Sequence, residues 1–232
     1  MAFIDKLRNR VLGEKKSKIS YSQCGEDIIM EFVLDQLHID KPLYLDIGAH
    51  HPVYLSNTYK FYKKGGHGVC IEPDPALFNV IKNKRPRDVC LNAGVGVMQQ
   101  AQVDFYVMSC RTLNTFSRDE AERYQSYGKH KIHDIKQIPL ININDLIEKN
   151  FVTSPNIVSL DVEGLDFEIL CSFDFSKYRP EVFCVETITY TEDKSEEKIE
   201  AIIELMISKN YFVYADTYIN TIFLDKAVWA AR

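Results

Sequence analysis

Two carboxylates, Asp46 and Glu72, stand 26 residues apart, each at the end of an apolar run, in "LYLDIG" and "GVCIEP". An acid inside a core strand is costly to bury unless something holds it. An acid that ends the next strand has two acceptor oxygens, which match the two hydroxyls of a ribose. Gly48 lets a ligand approach the backbone closely, with Ala49 beside it. The loop that follows, "GAHHP", is not GxGxxG. A pyrophosphate needs that glycine run at a helix N-terminus, and Asp46 adds negative charge beside it. The pair therefore suits a ligand carrying a ribose and a cationic amine. The simpler reading of each acid alone is a turn cap for Asp46 and a solvated strand end for Glu72.

A second set of candidates could move a proton. Asp161 and Glu163 end the run "NIVSLDVEG", and alternation puts both on one side of an extended strand. Glu186 ends "VFCVE" and would face the same cleft. Asp161 with Glu186 could hold Mg2+ or Mn2+, while Glu163 and Asp166 could instead favour a helix start. His50 and His51 follow the first strand directly. Imidazole titrates near neutrality, and His51, locked by Pro52, is the preferred base, with Asp161 and Glu163 as the other catalytic candidates. "HKIHD" (130–134) has ligand types but reads as solvated surface. Gln23, with Tyr21, lies in "YSQCGED", which is either a helix-capping region or a flap over a ligand. Ser56 and Asn57 either start a helix or join the site. Pro73 follows Glu72, and Asn92 and Ala93 end the third strand, where an adenine edge would lie.

The elements that would position these groups alternate. Helix 25–37 precedes strand 43–47, helix 56–64, strand 67–72, helix 75–84 and strand 88–93. After a less regular stretch (94–153) with a β-rich piece at 101–108 come strand 156–162, helix 165–173, strand 181–187, helix 195–210 and strands 211–216 and 220–226. Alternation implies a mainly parallel sheet covered on both faces. The last two strands leave no room for a helix between them, so they form a hairpin and one of them runs antiparallel.

The chain has 232 residues, 46% hydrophobic and 26% charged, with net charge −5. It fits one domain, 41–232, with a variable insert at about 94–153 and an N-terminal basic arm and helix, 1–40, packing on it. The negative charge gives no footprint for nucleic acid. No apolar run is long enough for a transmembrane helix, and the N-terminus lacks the apolar core of a secretory signal. Residues 1–18 hold six Lys/Arg against two Asp/Glu. They read as a solvated arm or, more sharply, as a peripheral membrane or partner contact. Six scattered cysteines without a CxxC read as free thiols in a reducing cytoplasm.

The ordered motifs "YSQCGED", "DIGAHHPVYLSNT", "GVCIEPDP", "LNAGVG" and "LDVEGLDFEIL" resemble the FkbM-type S-adenosylmethionine-dependent methyltransferases from about Tyr21 to Glu186. The resemblance implies a class I methyltransferase (Rossmann-like) sheet of seven strands with an antiparallel C-terminal hairpin. It also implies methyl transfer to a sugar hydroxyl, on a glycan precursor or nucleotide-sugar. S-adenosylmethionine fits the cationic amine and ribose read from Asp46 and Glu72. The chain departs from the family in having "KGGHGVC" where Gly-Trp often precedes the second strand. A nicotinamide-dependent oxidoreductase, a non-catalytic methyltransferase-like subunit and a homo-oligomer stay open.

Overall fold

The computed structural model describes residues 17–162, 164–188, 191 and 195–232. The basic arm expected at 1–18 falls almost wholly outside them, as does the catalytic candidate Glu163. The strands are β1 (Leu43–Ile47), β2 (His67–Ile71), β3 (Val89–Leu91), β4 (Gly94–Gly96), β5 (Gln100–Met108), β6 (Ile132–Asn142), β7 (Ile157–Leu160), β8 (Val182–Glu186), β9 (Tyr211–Asp216) and β10 (Asn220–Asp225). The helices are α1 (Glu26–Gln36), α2 (Tyr59–Lys63), α3 (Pro75–Lys84), α4 (Arg118–Ser126), α5 (Ile143–Asn150), α6 (Asp166–Ser172), α7 (Glu200–Ser208) and α8 (Lys226–Ala230).

Among the described residues, seven strands form one sheet in the order β3-β2-β1-β7-β8-β10-β9. Every pairing is parallel except those of β10 with β8 and β9. The mainly parallel sheet and the antiparallel C-terminal hairpin expected from sequence are both present. The order reverses between β1 and β7, so the crevice for a ligand opens at their carboxyl ends.

Alternation along β1 sends its side chains to two layers. Leu45 and Ile47 join a core with Leu146 of α5, Leu170 of α6 and Met206 of α7. Tyr44 joins Met30 and Leu34 of α1 and Phe61 of α2 on the other face. The N-terminal helix thus packs on the sheet. Its fully buried Glu26 accepts from Thr217 Oγ1 (2.7 Å) and Asn220 Nδ2 (3.2 Å), tying α1 to the β9–β10 turn.

Two helices start later than expected. Ser56 Oγ accepts from the Tyr59 N–H at 3.1 Å, so Ser56 and Asn57 precede α2 instead of belonging to it. Lys198 bridges Ile188 in extended conformation, which delays α7 to Glu200. The middle stretch is more regular than expected: β4, β5 and β6 form a second sheet, and α4 occupies part of the polar run. There Ser117 caps α4 by accepting from the Glu120 N–H. Among the described residues no helix is long and apolar enough to cross a membrane. All six cysteines are free; Cys70 and Cys184 are buried, whereas Cys24 and Cys171 are exposed.

Gly48 joins β1 to the ligand crevice. Its φ is +78°, and a Cβ there would lie 1.8 Å from the Asp161 carbonyl oxygen. The Asp161 N–H in turn donates to Ile47 O at 3.1 Å, so the ends of β1 and β7 meet backbone to backbone. Gly48→Ala meets both a forbidden φ and a backbone collision. It should cost about 3 kcal/mol or more of stability. Urea unfolding that matched the wild type would refute this contact.

Candidate functional site

A cavity of about 450 Å3 opens at the carboxyl ends of β1, β2, β7 and β8. Of the residues expected to bind a cofactor, Gln23, Asp46, Gly48, Ala49, Ser56, Asn57, Glu72 and Pro73 line it. Asp161 and Glu186 line it as well.

Glu72 is buried at the end of β2, and backbone N–H groups hold both its oxygens. His50 N donates to Oε2 and Asp74 N to Oε1, each at 2.8 Å. One lone pair on each oxygen stays open toward the cavity. Burial pushes its carboxyl up to about 8, against the pull of those two N–H groups; the charges of Asp74 and Asp46 add to the rise. A diol donates best to the ionised acid. Affinity for S-adenosylhomocysteine should therefore strengthen as pH rises, on the order of tenfold from pH 6.5 to 8.5, and then level off. Calorimetry across that range tests it: Glu72→Gln should bind with a flat profile, and a flat wild-type profile would contradict the assignment.

Asp46 faces the cavity but is held from behind. Its Oδ2 accepts from the Thr58 hydroxyl and from Arg85 Nη1 at 3.3 Å. Arg85 is fully buried and also donates to Thr58 Oγ1 (2.8 Å) and Cys70 Sγ (3.1 Å). Its Nε lies 3.6 Å from Asp88 Oδ2, and the rings of Tyr44, Tyr59 and Tyr62 surround the guanidinium at 5.6–5.7 Å. Asp88 in turn accepts from Tyr44 Oη and Gly68 N. Burial raises the Asp46 carboxyl above the usual range, with Arg85 and Thr58 pulling it back. The negative charge expected at the mouth from Asp46 is thus matched by Arg85. Among the described residues, the other acids facing the cavity are Glu72, Asp161, Glu186 and Glu196.

Asp161 sits just past β7, fixed by the Gly48 contact. Burial pushes its carboxyl up to about 6, against a hydrogen bond shared with Glu186; the charges of Asp46 and Glu26 add to the rise. Asp166, the first residue of α6, is raised to about 7 by burial and then by Asp161, while its Oδ1 accepts from Val162 N at 3.2 Å. Asp166 thus lies in the first turn of α6 but ties the preceding loop instead of capping the helix. Asn57 Nδ2 donates to Ser159 Oγ across the floor at 3.1 Å. Among the described residues, Asp161 and Glu186 are the carboxylates of the expected ion pocket. No group of three His, Cys, Asp or Glu side chains converges among the described residues.

Several expected residues are placed elsewhere. His51 does not line the cavity: its Nδ1 accepts from Val53 N (3.2 Å) and Tyr54 N (2.9 Å), closing its own turn. His50, at φ +49°, is turned into the cavity instead. Its imidazole is held below its ordinary value by burial and then by His51 and Arg111, despite Asp74, and so is neutral at pH 7. Asn92 is a clamp, its Nδ2 donating to Glu72 O (2.9 Å) and Pro73 O (2.8 Å). Ala93 is in the core, and its neighbours Gly94 and Val95 line the cavity in place of this pair. Tyr21 points away, accepting from Lys63 Nζ at 2.7 Å, while Ser22 and Asp27 knot the start of α1.

The insert supplies what sequence reading missed. Phe105, Arg111, Leu113 and Phe116 wall the cavity beside Gly94 and Val95, and His130 lines it too, instead of lying on open surface. Arg111 pairs with Asp74, which caps α3 through the Ala76 N–H. Nothing in "RTLNTF" marked it, because the contact joins segments 37 residues apart.

A doubly wound sheet in this strand order, with an acid at the end of β2 and a cleft at the switch point, defines a class I methyltransferase. The chain belongs to the methyltransferase FkbM domain family, whose model matches residues 46–213, and is thus an S-adenosylmethionine-dependent methyltransferase. The family replaces the nicotinamide-dependent alternative. No curated protein matches the chain. Among solved structures, a TehB-like SAM-dependent methyltransferase from Corynebacterium glutamicum is 9% identical with a TM-score of 0.42, over 97% of each chain. An O-methyltransferase from Bacillus cereus in complex with SAH is 11% identical with a TM-score of 0.42, over 96% of this chain and 90% of that one. The 1,6-didemethyltoxoflavin-N1-methyltransferase of Burkholderia thailandensis is 7% identical with a TM-score of 0.43, over 95% of this chain and 84% of that one.

Proposed function

We propose that the protein transfers the methyl group of S-adenosylmethionine to a hydroxyl of a sugar, on a glycan precursor or nucleotide-sugar. The observation that carries this reading is the run of carboxylates along the cavity from Glu72 to Asp161 and Glu186. Glu72 takes the ribose diol, and the apolar wall of Val95, Phe105 and Phe116 suits the adenine. The amino-acid end lies toward Gln23, Ser56 and Asn57. That leaves the acceptor over β7 and β8.

The transfer is an in-line displacement. The acceptor oxygen forms a bond to the methyl carbon, the C–S bond breaks with its electron pair going to sulfur, and the hydroxyl proton passes to Asp161. An acid near pH 6 is ionised at neutral pH and can align the hydroxyl before it accepts the proton. Neutral His50 is the second acceptor within the cavity. The step is written without an ion; Asp161 and Glu186 are the carboxylates that would hold one. A single catalytic unit, 41–232, in the cytoplasm, alone or as a homo-oligomer, is the proposed setting.

The test is labelled S-adenosylmethionine against a panel of sugars, glycans and nucleotide-sugars, with and without EDTA. Label should appear in sugar hydroxyls, equally in both arms. Label confined to amines or carboxylates would overturn the reading, and loss of turnover with EDTA would bring the ion back.

A further inference from the structure

The acceptor half of the cavity is built for a particular charge. Asp161, Glu186 and Glu196 line it, together with Tyr218 from the β9–β10 turn. Arg111 is the guanidinium that lines the cavity among the described residues, and it stands at the far end, beyond Glu72, paired with Asp74. Lys198, two residues from Glu196, does not line the cavity. Its Nζ donates to Thr187 Oγ1 and Asp216 Oδ1, each at 3.0 Å, and to the Tyr218 carbonyl oxygen at 2.5 Å. Asp46 has its cation, but that cation is sealed behind the sheet end.

Tyr218 gives a second, independent indication. Its backbone is held at φ +77°, a conformation uncommon for an aromatic residue. Two flanking anchors impose it: Tyr218 N donates to Asp216 Oδ1 at 2.7 Å, and Thr217 is tied to buried Glu26. The ring is left 57% exposed at the mouth, with its hydroxyl 3.4 Å from Glu196 Oε2. A flat ring beside carboxylates offers a sugar what it needs: an apolar surface for its C–H face and acceptors for its hydroxyls. The same carboxylates repel a phosphate, and no lysine or arginine among the described lining residues answers it at this end.

We infer that the acceptor is a sugar with no phosphate or carboxylate of its own, presented as a neutral or amine-bearing glycoside and stacked on Tyr218. This rests on the sugar-hydroxyl reading above and narrows it, setting aside nucleotide-sugars.

Two measurements test it. Hexose methyl glycosides and neutral oligosaccharides are compared with the same hexoses as 1-phosphates and uridine diphosphate conjugates, using labelled S-adenosylmethionine. The neutral member of each pair should have kcat/KM at least tenfold higher, and Tyr218→Ala should raise KM for it by roughly tenfold while kcat changes little. Separately, protein saturated with S-adenosylhomocysteine is titrated with inorganic pyrophosphate and with uridine diphosphate. No binding is expected at millimolar concentration in the wild type, and measurable binding is expected in Glu196→Lys. Wild-type protein that binds either anion below millimolar, or prefers the phosphorylated acceptors, overturns the inference and leaves sugar methylation standing. Label in no sugar of either kind, with S-adenosylhomocysteine bound normally, overturns the sugar reading and this inference with it.

Discussion

Arg85→Met should unfold about 3–5 kcal/mol more easily than the wild type, because removing one partner of a buried ion pair strands the other. Asp46 and Asp88 would both lose their cation in a layer that also holds Tyr44, Thr58 and Cys70. Arg85→Met with Asp46→Asn should recover part of the loss, since one stranded charge is gone. The pH dependence has a definite sign. Without Arg85, the folded-state pKa of Asp46 rises further above its unfolded value. The contribution is present at low pH and lost as pH rises through that folded value. The deficit of Arg85→Met should be smaller at pH 5 than at pH 8, and urea unfolding at both values measures it. A loss under 1 kcal/mol at pH 8 would mean that Arg85 packs by its ring contacts alone and that Asp46 needs no cation.

Asp161→Asn keeps the shape of the β7 end and removes the proton acceptor. The expected result is a fall in kcat of roughly 10²-fold or more, with S-adenosylhomocysteine affinity within about threefold of wild type. Wild-type kcat should fall below an apparent pKa near 6, the value to which burial pushes this carboxyl. Because Asp161 and Asp166 interact, that limb belongs to the pair. The limb should vanish in the variant. A variant with nearly full turnover would transfer the role to His50, the neutral imidazole that faces the same space.

Several element limits were legible because apolar runs and turn residues are local. Leu43–Ile47, Pro75–Lys84 and Tyr211–Asp216 have the limits the residues suggest. Glu72 was legible for the same reason, as an acid ending a fully apolar strand. The partner of Asp46 was not. Arg85 comes 39 residues later in "KRPRD", a turn whose composition reads as solvated, and only the tertiary fold carries it inside. The two histidines show how a single backbone angle decides a role. Pro52 made His51 look fixed for catalysis, yet the left-handed φ of His50 turns that residue inward and leaves His51 to close the turn. The insert was illegible as part of the site because Arg111, Phe116 and His130 reach it through pairing of β5 with β6, a contact that local sequence pattern does not record.

The most direct measurement is a calorimetric titration of S-adenosylhomocysteine into wild type, Glu72→Gln and Asp161→Asn at pH 8. The arrangement described above predicts one site per chain and a loss of about 1.5–3 kcal/mol in Glu72→Gln, where a charge-assisted pair of hydrogen bonds to the ribose is removed. It predicts little change in Asp161→Asn, whose carboxylate acts on the acceptor. Folded Glu72→Gln that binds as tightly as wild type would contradict it, because the cofactor would then lie elsewhere than across the ends of β1 and β2.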